Sequence, residues 1–161
     1  MSGRVLALDV GGKRIGVAIS DPDRIIASGL PTIQAQPAKQ AYQQIRQIVE
    51  QQGVTQIVIG LPLTMRGEIG PQAELVQEFA AELAKRVVKT PIELYDERLT
   101  SVAAERSMEA MGMKRKERRD QVDQLAATLI LQAFLEGLRR PPPSWRDDDD
   151  EDFDDEFDGE D

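Results

Sequence analysis

The chain has 161 residues, no cysteine, no histidine and a formal net charge of −9 at pH 7. That length suits one domain with an adequate core. The two missing residue types exclude thiolate nucleophiles, disulfides, imidazole general bases and zinc sites built from Cys or His. No stretch approaches the roughly 18 apolar residues of a membrane span. The first apolar run is short and holds Asp9, unlike a signal peptide, so a cytoplasmic location is expected.

The net charge is unevenly placed. Pro141 to Asp161 holds twelve acids against one base, Arg146, whereas residues 1–140 hold seventeen acids and nineteen bases and are therefore net +2. The expected organisation is one domain over 1–140 and a disordered acidic tail over 141–161. A polyanionic partner for the body is compatible with this balance despite the acidic whole.

Val5 to Leu8 and Ile15 to Ile19 are short, partly β-branched runs joined by Gly11, Gly12 and Lys13, the pattern of a hairpin. Asp21-Pro22-Asp23 marks a turn, and Ile25 to Ile33 reads as a third strand weakened by Gly29 and Pro31. From Pro37 the spacing of Ala38, Ala41, Tyr42, Ile45, Ile48 and Val49 predicts a helix stopped by Gly53. Gln56 to Gly60 is a buried strand and Leu61 to Gly70 a loop. Pro71 opens a helix with the stripe Leu75, Val76, Phe79, Leu83 and Val87.

Ile92 to Tyr95 is the fifth strand. Thr100 or Ser101 caps a helix to about Met111, stopped by Gly112. Lys114 to Arg119 reads as a basic loop, and Asp120 opens a last helix to about Leu138 with the stripe Val122, Leu125, Ala126, Leu129, Ala133 and Phe134. The order is β-β-β-α-β-α-β-α-α. It predicts an α/β fold whose five-stranded mixed sheet has an antiparallel meander first, then parallel strands one, four and five, flanked by helices.

Three acids stand out. Asp9 ends strand one, Glu97 follows strand five, and Asp123 falls on the apolar side of the last helix with Ala126, Ala127, Ile130 and Phe134. Sites on parallel strands gather at their carboxyl ends. Each acid also has a structural reading: Asp9 as a hairpin turn residue, Glu97 paired with Arg98 or another nearby base, and Asp123 favouring the helix dipole behind an Asp120 N-cap. Asp120 and Asp123 could exchange or share roles. Three converging carboxylates repel unless a cation sits among them, and hard oxygen donors suit Mg2+ or Mn2+. Two such ions clamp the attacking and leaving oxygens of a phosphodiester.

At these residues the chain resembles the YqgF, or RuvX-like, family, whose members are described as Holliday junction resolvases and as pre-16S rRNA processing nucleases. The matching segments are LALDVGGKRIGVAISD at 6–21, IVIGLPL at 57–63, YDERLTS at 95–101 and VDQLAATLILQ at 122–132. The resemblance implies a ribonuclease H-like fold and metal-dependent hydrolysis of phosphodiesters. It also implies Asp9, Glu97 and Asp123 as the catalytic, metal-holding acids, with Asp123 preferred over Asp120. It does not reach the tail.

Lys13, Arg14, Arg98, Lys114, Arg115, Lys116, Arg118 and Arg119 are the expected nucleic-acid contacts, with Arg66 a further base in the body. Their partner is precursor rRNA or branched DNA. Two other function classes stand beside the nuclease: a phosphate-loop ATPase of the actin and sugar-kinase type, disfavoured because this length leaves no second lobe, and a non-catalytic ribosome-assembly factor. Junction resolution would favour a homodimer; the motifs themselves do not distinguish it from a monomer. The acidic tail reads either as a solubilising segment or as a polyanion that competes with nucleic acid for the basic run.

Overall fold

The structure, a computed structural model, describes residues 3–100 and 115–139. The expected helix between Thr100 and Met111, Lys114 and the tail from Pro141 lie outside the described residues. The strands are β1 (Arg4–Val10), β2 (Arg14–Ser20), β3 (Ala27–Gln34), β4 (Val54–Leu61) and β5 (Ile92–Asp96). They form one sheet in the order β3-β2-β1-β4-β5. β1 pairs antiparallel with β2 and parallel with β4, and β4 pairs parallel with β5. The helices are α1 (Ala38–Gln52), α2 (Pro71–Ala84) and α3 (Arg115–Arg139), with a 3-10 turn at Glu97–Leu99 after β5. The expected α/β architecture and its parallel strands one, four and five are therefore present.

Side-chain alternation along β1 divides the core into two layers. Leu6 and Leu8 join Ile45 and Val49 of α1 and Val76 and Leu83 of α2 on one face. Val5 and Ala7 join Ala126, Ala127, Ile130, Leu131, Phe134 and Leu135 of α3 on the other. Asp9 has the parity of Val5 and Ala7, so it belongs to the α3 face. Small residues line that face and let the helix come close. A Cβ at Gly29 would lie 3.3 Å from the Gln124 side chain, and Gln124 Nε2 donates to the Leu30 carbonyl at 2.8 Å.

At the opposite end of β1, Arg24 is buried at φ 61° and donates to the Gly3 carbonyl, Thr55 Oγ1 and Gln56 Oε1. It ties the β2–β3 connection to the starts of β1 and β4. The sequence reading did not single it out.

Several expectations need correction. The run Arg115 to Arg119 is the opening of α3, not a loop, because Arg, Lys and Glu are strong helix formers with no glycine or proline to interrupt them. Asp120 is consequently five residues inside the helix and is not its N-cap. The buried stripe of α3 is Ala126, Ala127, Ile130, Leu131, Phe134 and Leu135 rather than one through Val122, Leu125 and Ala133; the Ala126–Ala127 pair suits the Ala and Gly residues of the facing sheet. β3 starts at Ala27 because the N–H groups of Ile25 and Ile26 both donate to Asp21 Oδ1 at 2.7 Å, leaving these isoleucines exposed in a turn. As an edge strand β3 accommodates Gly29 and Pro31. On α2, Leu75 is 53% exposed and falls outside the buried stripe.

Candidate active site

Asp9 is the last residue but one of β1 and is only 7% exposed. It is a strand residue, not a turn residue: the turn lies beyond it, where Gly11 N–H donates to the Arg14 carbonyl at 3.0 Å. Across the antiparallel ladder Asp9 faces Gly16. On the parallel side Leu8 pairs with Ile59, which brings Gly60 alongside Asp9. The buried carboxylate thus stands between two glycines, and the absence of their side chains leaves room for the other acids.

The main chain of Asp123 occupies the space over Gly16. A Cβ built at Gly16 would run into the Asp123 carbonyl group and lie 3.5 Å from the Ala127 methyl. The carboxylate of Asp123 is held by Arg14, whose Nε donates to Oδ2 at 2.8 Å. Arg14 begins β2 two residues before Gly16, so it emerges on the same sheet face. The helix carries Asp123 inward because it shares a side with the buried Ala126, Ala127 and Ile130.

Glu97 occupies the space over Gly60. A Cβ there would lie 2.8 Å from Glu97 Oε2 and 2.7 Å from Ile130 Cδ1. Glu97 opens the 3-10 turn, and Asp96 caps it by accepting from the Arg98 N–H at 2.9 Å. Asp96 also takes the Arg98 guanidinium through both oxygens, at 2.8–3.1 Å. These bonds from the Arg98 side chain and backbone hold the Asp96 carboxyl below its ordinary range. The guanidinium lies beside Gly67, at φ 82°, where a Cβ would approach it to 3.1 Å. Arg98 therefore links the turn bearing Glu97 to the loop after β4.

Asp9, Asp123 and Glu97 thus border the same end of β1 and β4, reached from a strand, a helix and a turn. As they stand, no group of three or more acids among the described residues forms a ready metal-ligand cluster. The donor set nevertheless fits a hard divalent cation. It offers carboxylate oxygens only, with the Asp123 main chain seated on Gly16 and the Glu97 side chain on Gly60, on either side of Asp9. Arg14, expected on phosphate, lies on Asp123, and Arg98 lies on Asp96. Arg115, Lys116, Arg118 and Arg119 occupy the two helical turns before Asp123, and Lys13 sits in the β1–β2 turn.

Sequence reasoning missed Gly16 and Asp96, and the seat that Gly60 gives Glu97. The glycines carried a signal, since a glycine inside an apolar strand marks a close approach. Asp96 carried none, because its bond to Arg98 depends on how the chain turns after β5. Of the two tyrosines, Tyr42 is in the core, and Tyr95 meets Phe134 edge-on at 5.9 Å between ring centres.

Comparison with solved structures places this architecture. Thermus thermophilus RuvC in complex with a Holliday junction substrate matches with a TM-score of 0.54 at 15% identity, over 88% of this chain and 99% of that one. RuvC from the same organism in a second structure gives 0.51 at 10% identity, over 84% and 96%. The fold is that of the ribonuclease H-like proteins, with its carboxylates at the end of the central strands. At the level of sequence, the family model described as RuvX, Holliday junction resolvase, matches residues 3–137. The chain belongs to the RuvX family. A Chloroflexus aurantiacus relative named "Putative pre-16S rRNA nuclease" is 53% identical over 138 residues, 86% of this chain and 90% of that one. Relatives of the same name from Streptomyces coelicolor and Clostridium novyi are 43% and 44% identical, over 87% and 84% of this chain and 86% and 99% of theirs.

Proposed function

We propose that this protein is a divalent-metal-dependent nuclease that hydrolyses phosphodiester bonds in precursor 16S rRNA, using Asp9, Glu97 and Asp123. The observation that carries the reading is the position of Asp9, buried between Gly16 and Gly60, with Asp123 resting over the first glycine and Glu97 over the second. The names of the relatives support pre-16S rRNA as the substrate, and the cytoplasm as the setting. Four-way DNA junctions are the second reading, supported by the description of the family model.

The three acids would hold Mg2+ or Mn2+, which when bound supplies charge neutralisation and Lewis-acid polarisation at the phosphodiester. Two such ions would bind at the site, a stoichiometry that Mn2+ uptake measures. The chain's own contributions are positional. Asp9 is fixed by a central strand paired on both sides, and a carboxylate so placed keeps its geometry. Glu97 sits on a turn braced by Asp96 and Arg98. The bases at positions 115–119 lie within about 12 Å of Asp123 along the helix axis, where a phosphate backbone entering the site would meet them. Lys13 borders the same end of the sheet. Whether the working unit is one chain or two is read from solution mass.

The test compares wild type with Asp9→Asn, Glu97→Gln and Asp123→Asn on a precursor 16S rRNA leader and a four-way DNA junction with Mg2+ or Mn2+. The expected result is leader cleavage by wild type, loss of cleavage in each variant and retained binding. Junction cleavage alone favours the second reading. Absence of metal-dependent cleavage in wild type favours a non-catalytic assembly factor.

A further inference from the structure

Among the described contacts, the Arg14–Asp123 pair brings a site acid directly against a fixed cation of the same chain. The bond is short, 2.8 Å from Nε to Oδ2, yet both side chains remain partly exposed, at 24% and 19%. A pair of that kind exchanges with ions from solvent, unlike one sealed in the core.

The pair is not what docks α3. Six buried side chains from Ala126 to Leu135 fix the helix on the sheet, Gln124 bonds the Leu30 carbonyl, and Gly16 seats the Asp123 main chain. The Arg14 backbone is also held independently. Its carbonyl accepts from Gly11, and the neighbouring Lys13 carbonyl accepts from Ala35 at 2.9 Å. Removing the guanidinium therefore leaves the strand, the helix and the Asp123 backbone where they are. What changes is the charge at the carboxylate.

We propose that Arg14 is a positioning residue that serves as the site's resident counter-cation. It keeps Asp123 turned toward β2 and competes with the divalent ion for that carboxylate, so it sets the ion concentration at which the site loads. This rests on the metal-site reading above. The physical basis is direct: a guanidinium within hydrogen-bonding distance of a prospective ligand both occupies one of its oxygens and repels an incoming cation.

The experiment is calorimetric titration of the full chain with MnCl2 in the absence of nucleic acid, for wild type, Arg14→Met, Arg14→Gln, Arg14→Lys and Asp9→Asn, with folding checked by thermal melting. Arg14→Met and Arg14→Gln are expected to bind Mn2+ roughly two- to fivefold more tightly than wild type, the range a partly exposed ion pair is worth. Arg14→Lys retains the charge and is expected to bind as wild type does. A merely structural role for Arg14 predicts weaker binding in the neutral variants. Unchanged or weaker binding in folded Arg14→Met and Arg14→Gln overturns the inference, as does a gain in Arg14→Lys equal to theirs. Asp9→Asn separates the two levels: Mn2+ uptake that is indifferent to Asp9 overturns the metal-site reading and this inference together. Uptake that needs Asp9 but ignores Arg14 overturns this inference alone.

Discussion

Asp9 faces Gly16 across the β1–β2 ladder, and the carbonyl of Asp123 rests where a Gly16 side chain would be. One glycine therefore sets the spacing between a strand carboxylate and a helix carboxylate. Gly16→Ala puts a methyl group into main chain, which does not rotate away. The expected cost is about 1–3 kcal/mol of stability, read by urea denaturation, together with loss of cleavage as α3 is lifted. Gly12→Ala is the control, because nothing lies within 4 Å of a Cβ there, and it should leave stability nearly unchanged.

Gly60→Ala is expected to behave differently. Its Cβ meets the ends of two side chains, Glu97 and Ile130, rather than backbone. Both can shift, so stability should fall less than in Gly16→Ala, while displacement of Glu97 still lowers cleavage. Parallel denaturation and cleavage measurements on the two variants reveal the contrast. Equal stability losses would mean that the Gly60 cleft is as rigid as the Gly16 cleft.

These two clefts also mark the limit of what the sequence made legible. The order of the described elements followed from short apolar runs and helical spacing, and the inward side of Asp123 followed from its spacing to Ala126, Ala127 and Ile130. Local pattern was sufficient there because burial dictates it. The pairings Asp9–Gly16 and Gly60–Glu97 depend on strand register and on a turn's direction, which are set by contacts between distant segments. The basic run 115–119 was misread for a related reason: its charge suggested a loop, although its residues are good helix formers. Arg14 and Arg98 read as phosphate ligands from charge alone, while the fold supplies each with a nearby carboxylate.

Nucleic-acid affinity should report that difference among the bases. Replacing Arg115, Lys116, Arg118 and Arg119 together by Gln should weaken binding and reduce the slope of log affinity against log salt by up to about 3, from roughly 0.7–0.9 per phosphate contact. Arg98→Gln should change the slope little, since Arg98 is engaged by Asp96. It should instead lower the cleavage rate by loosening the turn that carries Glu97. Filter-binding titrations across salt concentrations separate the two effects.

The acid limb of the stability profile should involve Asp21. Hydrogen bonds from the N–H groups of Ile26 and Ile25 lower its carboxyl below the ordinary value of 3.8. A depressed folded value means a contribution that is complete above the unfolded value and is lost as pH falls through the folded one. Asp21→Asn is expected to be less stable than wild type at neutral pH, with the difference shrinking as the pH falls from about 5 toward 2. Denaturant midpoints over that range measure it. A difference independent of pH would assign the loss to turn geometry instead of charge.

If the carboxylate buried between Gly16 and Gly60 is the working centre of a nuclease, removing its charge abolishes cleavage and spares binding. The most direct measurement is cleavage of a precursor 16S rRNA leader by wild type and Asp9→Asn, in Mg2+ and in EDTA, with binding to the same RNA measured alongside. The assignment of Asp9 to this role predicts cleavage by wild type in Mg2+ alone, and binding without cleavage by Asp9→Asn. Wild-type-like cleavage by a homogeneous Asp9→Asn protein would contradict it.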